Sequence, residues 1–225
     1  MTWRRTAFNA SLFFHNFIAG KMGYTVYAMP KGGRFYESLE DCEPRDAALE
    51  LISREVRRYS IEGAVAELGV YRGDFAKRIN HFFPDKKFYL FDTFTGFDGR
   101  DAAVDRERKF STGDQDFSRT SEQLVLDKME HRENCIVKKG WFPETAEGVQ
   151  DKFCFVSLDV DLYKPTLAGL NFFYPRLMGG GGIMVHDFNN QEFQGVRQAV
   201  KEFCVENCVG YVCLLDACGT AVITR

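Results

Sequence analysis

Glu67, Gly69, Tyr71 and Gly73 fall within one short run, Ala66-Glu67-Leu68-Gly69-Val70-Tyr71-Arg72-Gly73, and Phe91-Asp92-Thr93 follows about twenty residues later. An apolar stretch ends in glycine, a helical pattern starts at once at Asp74, and a second apolar stretch ends on an acid. Glycine lets the backbone approach a ligand closely, and a helix N-terminus carries partial positive charge. An acid at the next strand end accepts hydrogen bonds from ribose hydroxyls. These are the parts of a nucleoside cradle. The spacing argues against a dinucleotide, because a pyrophosphate turn needs G-x-G-x-x-G. Here the two glycines are four apart, Tyr71 takes the middle position, and Glu67 stands two residues ahead of the first glycine. A carboxylate there repels a pyrophosphate but pairs with the ammonium of an amino acid. S-adenosylmethionine carries an amino acid at one end, a ribose in the middle and no phosphate, and it fits the acid–glycine–glycine–acid order better. A tight strand–helix turn without a ligand is the other reading of a lone glycine loop; the register of Glu67 with Asp92 favours the nucleoside.

A second constellation lies downstream. Cys154-Phe155-Val156-Ser157-Leu158-Asp159-Val160-Asp161 is an apolar strand pattern ending on two acids, and Gly182-Ile183-Met184-Val185-His186-Asp187 is another ending on a His–Asp pair. In a doubly wound sheet the C-terminal strand ends converge on the ligand crevice, so Asp159, Asp161, His186 and Asp187 should share the edge where the nucleoside lies. Carboxylates and an imidazole on rigid strand ends make a site for a divalent cation, which lowers the pKa of a substrate hydroxyl. Asp161 and Asp187 could instead cap the helices that follow, although capping alone does not account for four polar groups in one crevice.

The elements that must position these groups are read from periodicity. Strand patterns run over 64–70, 87–93, 135–139, 153–160, 182–187, 211–216 and 220–224, and helix patterns over 46–59, 74–83, 121–131, 144–150, 165–177 and 194–207. Alternation of this kind predicts an α/β fold, a doubly wound, mostly parallel seven-stranded sheet with helices on both faces. The last two strands, joined by Ala217-Cys218-Gly219, should form an antiparallel edge hairpin. Residues 1–60 read as an N-terminal helical or lid segment and 61–225 as the nucleoside-binding domain. An insertion near 95–119 is charged, aperiodic and too long for a simple connection.

A net charge of −3 leaves no basic excess to neutralise phosphates, which argues against nucleic acid as a partner. The apolar stretch 7–19 is interrupted by Asn9, His15 and Asn16 and reads as a core-facing or lid helix; no run reaches the roughly twenty apolar residues of a membrane span. Seven cysteines, none paired as C-x-x-C, suit reduced thiols in a soluble cytoplasmic protein. Cys204, Cys208, Cys213 and Cys218 cluster in sequence, but their gaps do not match zinc spacings.

Taken together, these motifs resemble a class I methyltransferase. The first glycine region is similar to that of catechol O-methyltransferase, and the closer match is the macrocin O-methyltransferase (TylF-like) family. That family is matched by Ala66-Glu67-Leu68-Gly69-Val70, Phe91-Asp92-Thr93-Phe94-Thr95-Gly96-Phe97, Gly140-Trp141-Phe142-Pro143-Glu144-Thr145, Leu158-Asp159-Val160-Asp161-Leu162-Tyr163, and His186-Asp187-Phe188 with Gly195-Val196-Arg197-Gln198-Ala199-Val200. The resemblance implies S-adenosylmethionine-dependent methylation of a sugar or natural-product hydroxyl, usually with magnesium. It implies that Glu67 and Gly69 line the methionine portion, Asp92 the ribose and Gly140, Trp141 and Phe142 the adenine, with Tyr71, Gly73, Thr93 and Asp159 completing the cofactor site. Asp159 and Asp187 would be metal ligands, and His186 or Asp161 the base. The family has Asp-Asp-Tyr where this chain has His186-Asp187-Phe188, and imidazole is a poor magnesium ligand. The acceptor, a small molecule, should be met by 24–34 and 95–119, and the N-terminal apolar stretch could pack against a second subunit. A nicotinamide-dependent oxidoreductase and a nucleoside-binding protein without catalysis are the rival readings.

Overall fold

Seven strands form one sheet: β1 (Ala64–Leu68), β2 (Phe88–Asp92), β3 (Cys135–Lys139), β4 (Phe153–Leu158), β5 (Leu177–Val185), β6 (Val212–Cys213) and β7 (Ala221–Thr224). They come from a computed structural model that describes residues 43–225. The apolar stretch 7–19 and the acceptor-facing segment 24–34 lie outside the described residues. The strand order is β3-β2-β1-β4-β5-β7-β6, with β1 to β5 parallel and β7 antiparallel to both of its neighbours. This is the doubly wound sheet with a terminal hairpin that the alternation of patterns predicts. The order reverses between β1 and β4, which is where such sheets open a ligand crevice.

Two apolar layers sandwich the sheet. On one face lie α1 (Pro44–Arg58) and α2 (Asp74–Phe82), whose Leu49, Val56, Ala76 and Ile79 pack against Val65, Phe88 and Phe155. On the other lie α5 (Tyr163–Phe173) and α6 (Gln194–Asn207), whose Leu170, Phe173, Val196 and Phe203 pack against Phe91, Phe153 and Val185. Burial on both faces explains why β1 and β4 read as unbroken apolar runs rather than alternating ones. The phenylalanines concentrate here: Phe173 meets Phe91, Phe142 and Phe153 with ring centroids 5.0–5.9 Å apart. Such pairs add about 0.5–1.5 kcal/mol each beyond their burial.

Several boundaries depart from the sequence pattern, each for a local reason. The 95–119 stretch contains a helix, α3 (Gly99–Arg108), capped by Asp98 accepting from Arg100 N. Its buried positions are Asp101, Ala102 and Asp105, so the face it packs inward carries no apolar period. The 121–131 pattern yields only α4 (Glu122–Leu126). Beyond it, the Asn80 side chain takes both backbone groups of His131, at 2.7 and 3.1 Å, where helical bonds would otherwise run. The 144–150 pattern is a single 3₁₀ turn, Glu144–Ala146. The 211–216 strand shrinks to Val212–Cys213 because the Asp216 carboxylate turns the chain by accepting from Thr220 N and Oγ1 at 2.6 and 2.5 Å.

The parallel ladder continues past the strand ends and lines up the residues of interest. Gly69 N donates to Phe91 O, Gly140 N to Asp92 O, Asp159 N to Leu68 O, and His186 N to Leu158 O, all at 2.8–2.9 Å. Four chain segments are thereby fixed side by side along the carboxyl edge of the sheet. No helix among the described residues is long and apolar enough to cross a membrane.

Candidate active site

At the end of β1 the chain turns through Gly69 at φ +88° and Tyr71 at +48°, and α2 begins at Gly73, its N-cap, at +78°. The Asp92 carboxylate organises this turn. One oxygen accepts from the backbone N–H groups of Val70 and Tyr71 at 2.7 and 2.8 Å, and the other accepts from Phe94 N at 2.6 Å. Glu67 is 2% exposed, and its Oε2 has no hydrogen-bond partner among the described residues. Burial pushes its carboxyl well above the ordinary range, against the pull of the Arg45 guanidinium. A buried carboxylate oxygen aimed into a cleft without a partner is a receptor for a cation.

Beside it, Asp159, Asp161 and Asp187 bring carboxylate oxygens within 4.8 Å of one another. His186 Nδ1 lies 2.7 Å from Asp187 Oδ2 and 3.1 Å from Asp159 Oδ1. Burial opposes charge on this imidazole, but the two carboxylates outweigh it and raise His186 to about 10, so at neutral pH it is a cation and a donor. Burial also works against the charges of Asp159 and Asp187; Arg45 and His186 hold the first below the ordinary range, and His186 and Asp161 hold the second there. Asp161, with φ +61°, is pushed well above that range by burial and then by its acidic neighbours. Three converging acids, one of them forced toward its protonated form, are short of positive charge.

Arg45 supplies part of that charge, and the sequence reading missed it. It stands in the first turn of α1, donates to Asp159 Oδ2 at 3.0 Å and to Ser157 Oγ at 3.2 Å, and lies 3.7 Å over the Phe75 ring. A cation in the first turn of a helix opposes the helix dipole, and that mismatch was the available cue to a partner elsewhere.

A cleft of about 460 Å³ joins these groups, a size suited to a small-molecule ligand. Every sequence-predicted site residue lines it except Gly73, which sits behind it against Val125. At the far end Trp141 Nε1 donates to the buried Asp101 at 2.8 Å, while Arg100 covers the indole at 3.7 Å. Phe142 is largely absorbed into the aromatic core, stacked 5.9 Å from Phe173. Phe97 and Phe117, from the segment between β2 and α4, lie 5.1 Å from each other by ring centroid; Phe117 meets Tyr71 at 5.3 Å and Phe97 meets Phe193 at 6.3 Å.

Comparison with known proteins decides the family. The profile of the macrocin O-methyltransferase (TylF) family matches residues 43–219. The chain belongs to this family. It is an S-adenosylmethionine-dependent O-methyltransferase acting on a small molecule, and the oxidoreductase reading is set aside. Among solved structures it is similar to the O-methyltransferase NovP, with TM-score 0.69 and 21% identity over 80% of this chain and 79% of that one. It is also similar to CalS11, with TM-score 0.63 and 21% identity over 80% of this chain and 78% of that one. CalS11 is described as a calicheamicin methyltransferase and a TDP-rhamnose 3'-O-methyltransferase. An O-methyltransferase from Bacillus cereus, solved in complex with SAH, gives TM-score 0.53 at 12% identity, over 82% of this chain and 83% of that one. No curated protein matches the chain.

The cleft of this methyltransferase fits its cofactor: the unpartnered Glu67 oxygen suits an ammonium group. Replacing Glu67 with Gln is expected to weaken S-adenosylhomocysteine binding by about 1.5–3 kcal/mol, the range for a hydrogen bond to a charged group. Isothermal calorimetry checks it, and unchanged affinity would remove Glu67 from the amino-acid site. A second signature is pH-dependent. A folded-state pKa above the ordinary 4.5 means that folding takes up a proton, so Glu67 costs stability as pH rises through that value. The Tm difference between wild type and Glu67→Gln should grow in favour of the variant as pH rises from about 4.5.

Proposed function

We propose that this methyltransferase methylates a hydroxyl of a sugar, or of a sugar-bearing natural product, with a divalent cation held on Asp159, Asp161 and Asp187. The observation that carries the reading is the convergence of three carboxylates on the same cleft as the unpartnered Glu67 oxygen. The macrocin family and the sugar acceptor of CalS11 support the substrate class.

When bound, S-adenosylmethionine supplies an electrophilic methyl on a sulfonium, and a divalent cation supplies Lewis acidity to an acceptor oxygen. The chain does the rest by positioning. Glu67 pairs with the amino-acid ammonium, and Asp92 keeps the glycine turn in the shape that admits the ligand. Trp141, held flat between Arg100 and Asp101, offers an aromatic surface to the adenine. Asp159, Asp161 and Asp187 orient the acceptor oxygen, and a carboxylate of this set takes its proton as the new C–O bond replaces the methyl–sulfur bond and S-adenosylhomocysteine is left behind. His186, a donor in this arrangement, orients Asp159 and Asp187. Phe97, Phe117 and Phe193 exclude water, which would otherwise solvate the reacting oxygen.

The test is methyl transfer from labelled cofactor to a panel of nucleotide sugars, glycosylated natural products and simple phenols, each with magnesium or with excess chelator. Transfer to sugar hydroxyls that chelator suppresses supports the proposal. Transfer to phenols alone would overturn the acceptor class, and full activity in chelator would overturn the cation.

A further inference from the structure

We propose that His186, Asp187 and Cys218 form a binding site for a thiophilic divalent cation of the zinc class, adjoining the all-oxygen set of Asp159, Asp161 and Asp187. The two sets share Asp187. The catalytic consequence rests on the cation-assisted reading above; the binding itself does not.

The donor atoms of His186, Asp187 and Cys218 all lie within 4.8 Å of one another. Zinc bonds near 2.0–2.3 Å place tetrahedral donors roughly 3.5 Å apart, so small side-chain rotations close the set. Among the described residues Cys218 is the one cysteine in such a group. The scaffold holds it there. Asn189 N donates to Cys218 O at 2.8 Å, and Gly219 packs so tightly on Asn189 that a Cβ would come within 2.6 Å of its Cβ. The turn between β6 and β7 is thus pressed onto the segment that follows β5, with His186 and Asp187 at its start.

Donor chemistry sets the choice of ion. Magnesium demands oxygen ligands and dehydrates reluctantly, whereas an imidazole, a carboxylate and a thiolate suit zinc or cobalt. Three protein donors leave one position for water, an open coordination shell. On binding, the Cys218 thiol and the His186 imidazolium each give a proton to solvent, and the sulfur and a ring nitrogen take the metal in their place. Because Asp187 serves both sets, an ion held by His186 and Cys218 displaces one held by the oxygens, and zinc should inhibit methyl transfer supported by magnesium. Local spacing could not reveal the site, since its members come from the end of β5 and a hairpin turn. Of the other cysteines near Cys218 in sequence, Cys204 is buried within α6, and Cys208 and Cys213 are exposed.

Cobalt(II) titration of the purified full chain, without cofactor, tests the proposal. The wild type should show a near-ultraviolet sulfur-to-cobalt charge-transfer band together with the visible bands of four-coordinate cobalt. Cys218→Ser should lose the sulfur band and bind zinc at least about tenfold more weakly, while keeping the wild-type circular dichroism spectrum. Cys208→Ser and Cys213→Ser should keep the band. A band that persists in Cys218→Ser, or that is absent from the wild type with one equivalent of cobalt, overturns the site. The readout needs no turnover, so failure of the sugar panel and failure of this site are separate results.

Discussion

Gly69→Ala is expected to be the most damaging single-methyl change in the described chain, destabilising it by on the order of 3–5 kcal/mol and abolishing cofactor binding. A Cβ on Gly69 would lie 1.9 Å from the Asp159 carbonyl oxygen and 2.6 Å from its carbonyl carbon. That carbonyl belongs to the extension of the β1–β4 ladder, where Asp159 N is already tied to Leu68 O at 2.8 Å, so backbone must move against backbone. The φ of +88° adds a penalty of its own for any side chain. Displacing Asp159 to relieve the clash would carry the acid cluster with it. Gly73→Ala is the control. Its φ of +78° is also unfavourable, but the new Cβ would meet only Val125, its γ-methyls at 3.0 and 3.3 Å and its Cα at 3.4 Å, contacts that a shift of a few tenths of an ångström relieves. It should cost about 1–2 kcal/mol and leave binding in place. Thermal unfolding and S-adenosylhomocysteine calorimetry check both variants; a Gly69→Ala protein with the wild-type Tm would show that the strand-end contact is softer than its geometry states.

That contrast also marks what was legible in the sequence. Asp92, Asp159 and Asp187 could be found because each lies at or just past the end of a run of buried apolar residues, and a parallel sheet makes such termini neighbours; Glu67 stood out as an acid within β1, two residues before Gly69. The two glycines looked equivalent in the sequence, yet one meets backbone across the sheet and the other packs on a helix. Asp92 was expected to receive ribose hydroxyls, and its oxygens already accept three backbone N–H groups of the turn. Arg45 and Asp101 escaped the reading for one reason: each reaches the crevice from an element whose sequence gives no sign of where it docks, whereas Cys218 was weighed for zinc with Cys204, Cys208 and Cys213, the wrong partners, and lies by His186 and Asp187. The face that α3 buries is largely carboxylate, so a search for apolar period passes over it. The interval from β1 to β4 is set by topology, and no spacing rule reaches from residue 45 to residue 159.

Asp159 is where the catalytic reading is most exposed to test. Its side chain is 24% exposed and that of Arg45 12%, so the pair is only partly shielded from water. Replacing Asp159 with Ala leaves the Arg45 guanidinium with Ser157 Oγ as its remaining hydrogen-bond acceptor among the described residues, and takes from His186 one of the two carboxylates that face it there. Loss of a partner from a fully buried ion pair costs about 3–5 kcal/mol, and the partial exposure here should reduce that. Turnover is expected to fall by at least about 10²–10³-fold, the usual loss when one preorganised electrostatic contact to a reacting oxygen is removed. S-adenosylhomocysteine affinity should change little, since Glu67 and the glycine turn are left in place. Asp159→Asn separates the two effects: the amide keeps the shape and an oxygen for Arg45 but removes the charge. If Asp159 holds a cation, Asn and Ala should lose turnover alike while only Ala loses Tm, and chelator should lower the wild type without lowering either variant further. An Asn variant with wild-type turnover would reduce Asp159 to an anchor for Arg45 and leave the acceptor hydroxyl to be activated by Asp161 and Asp187.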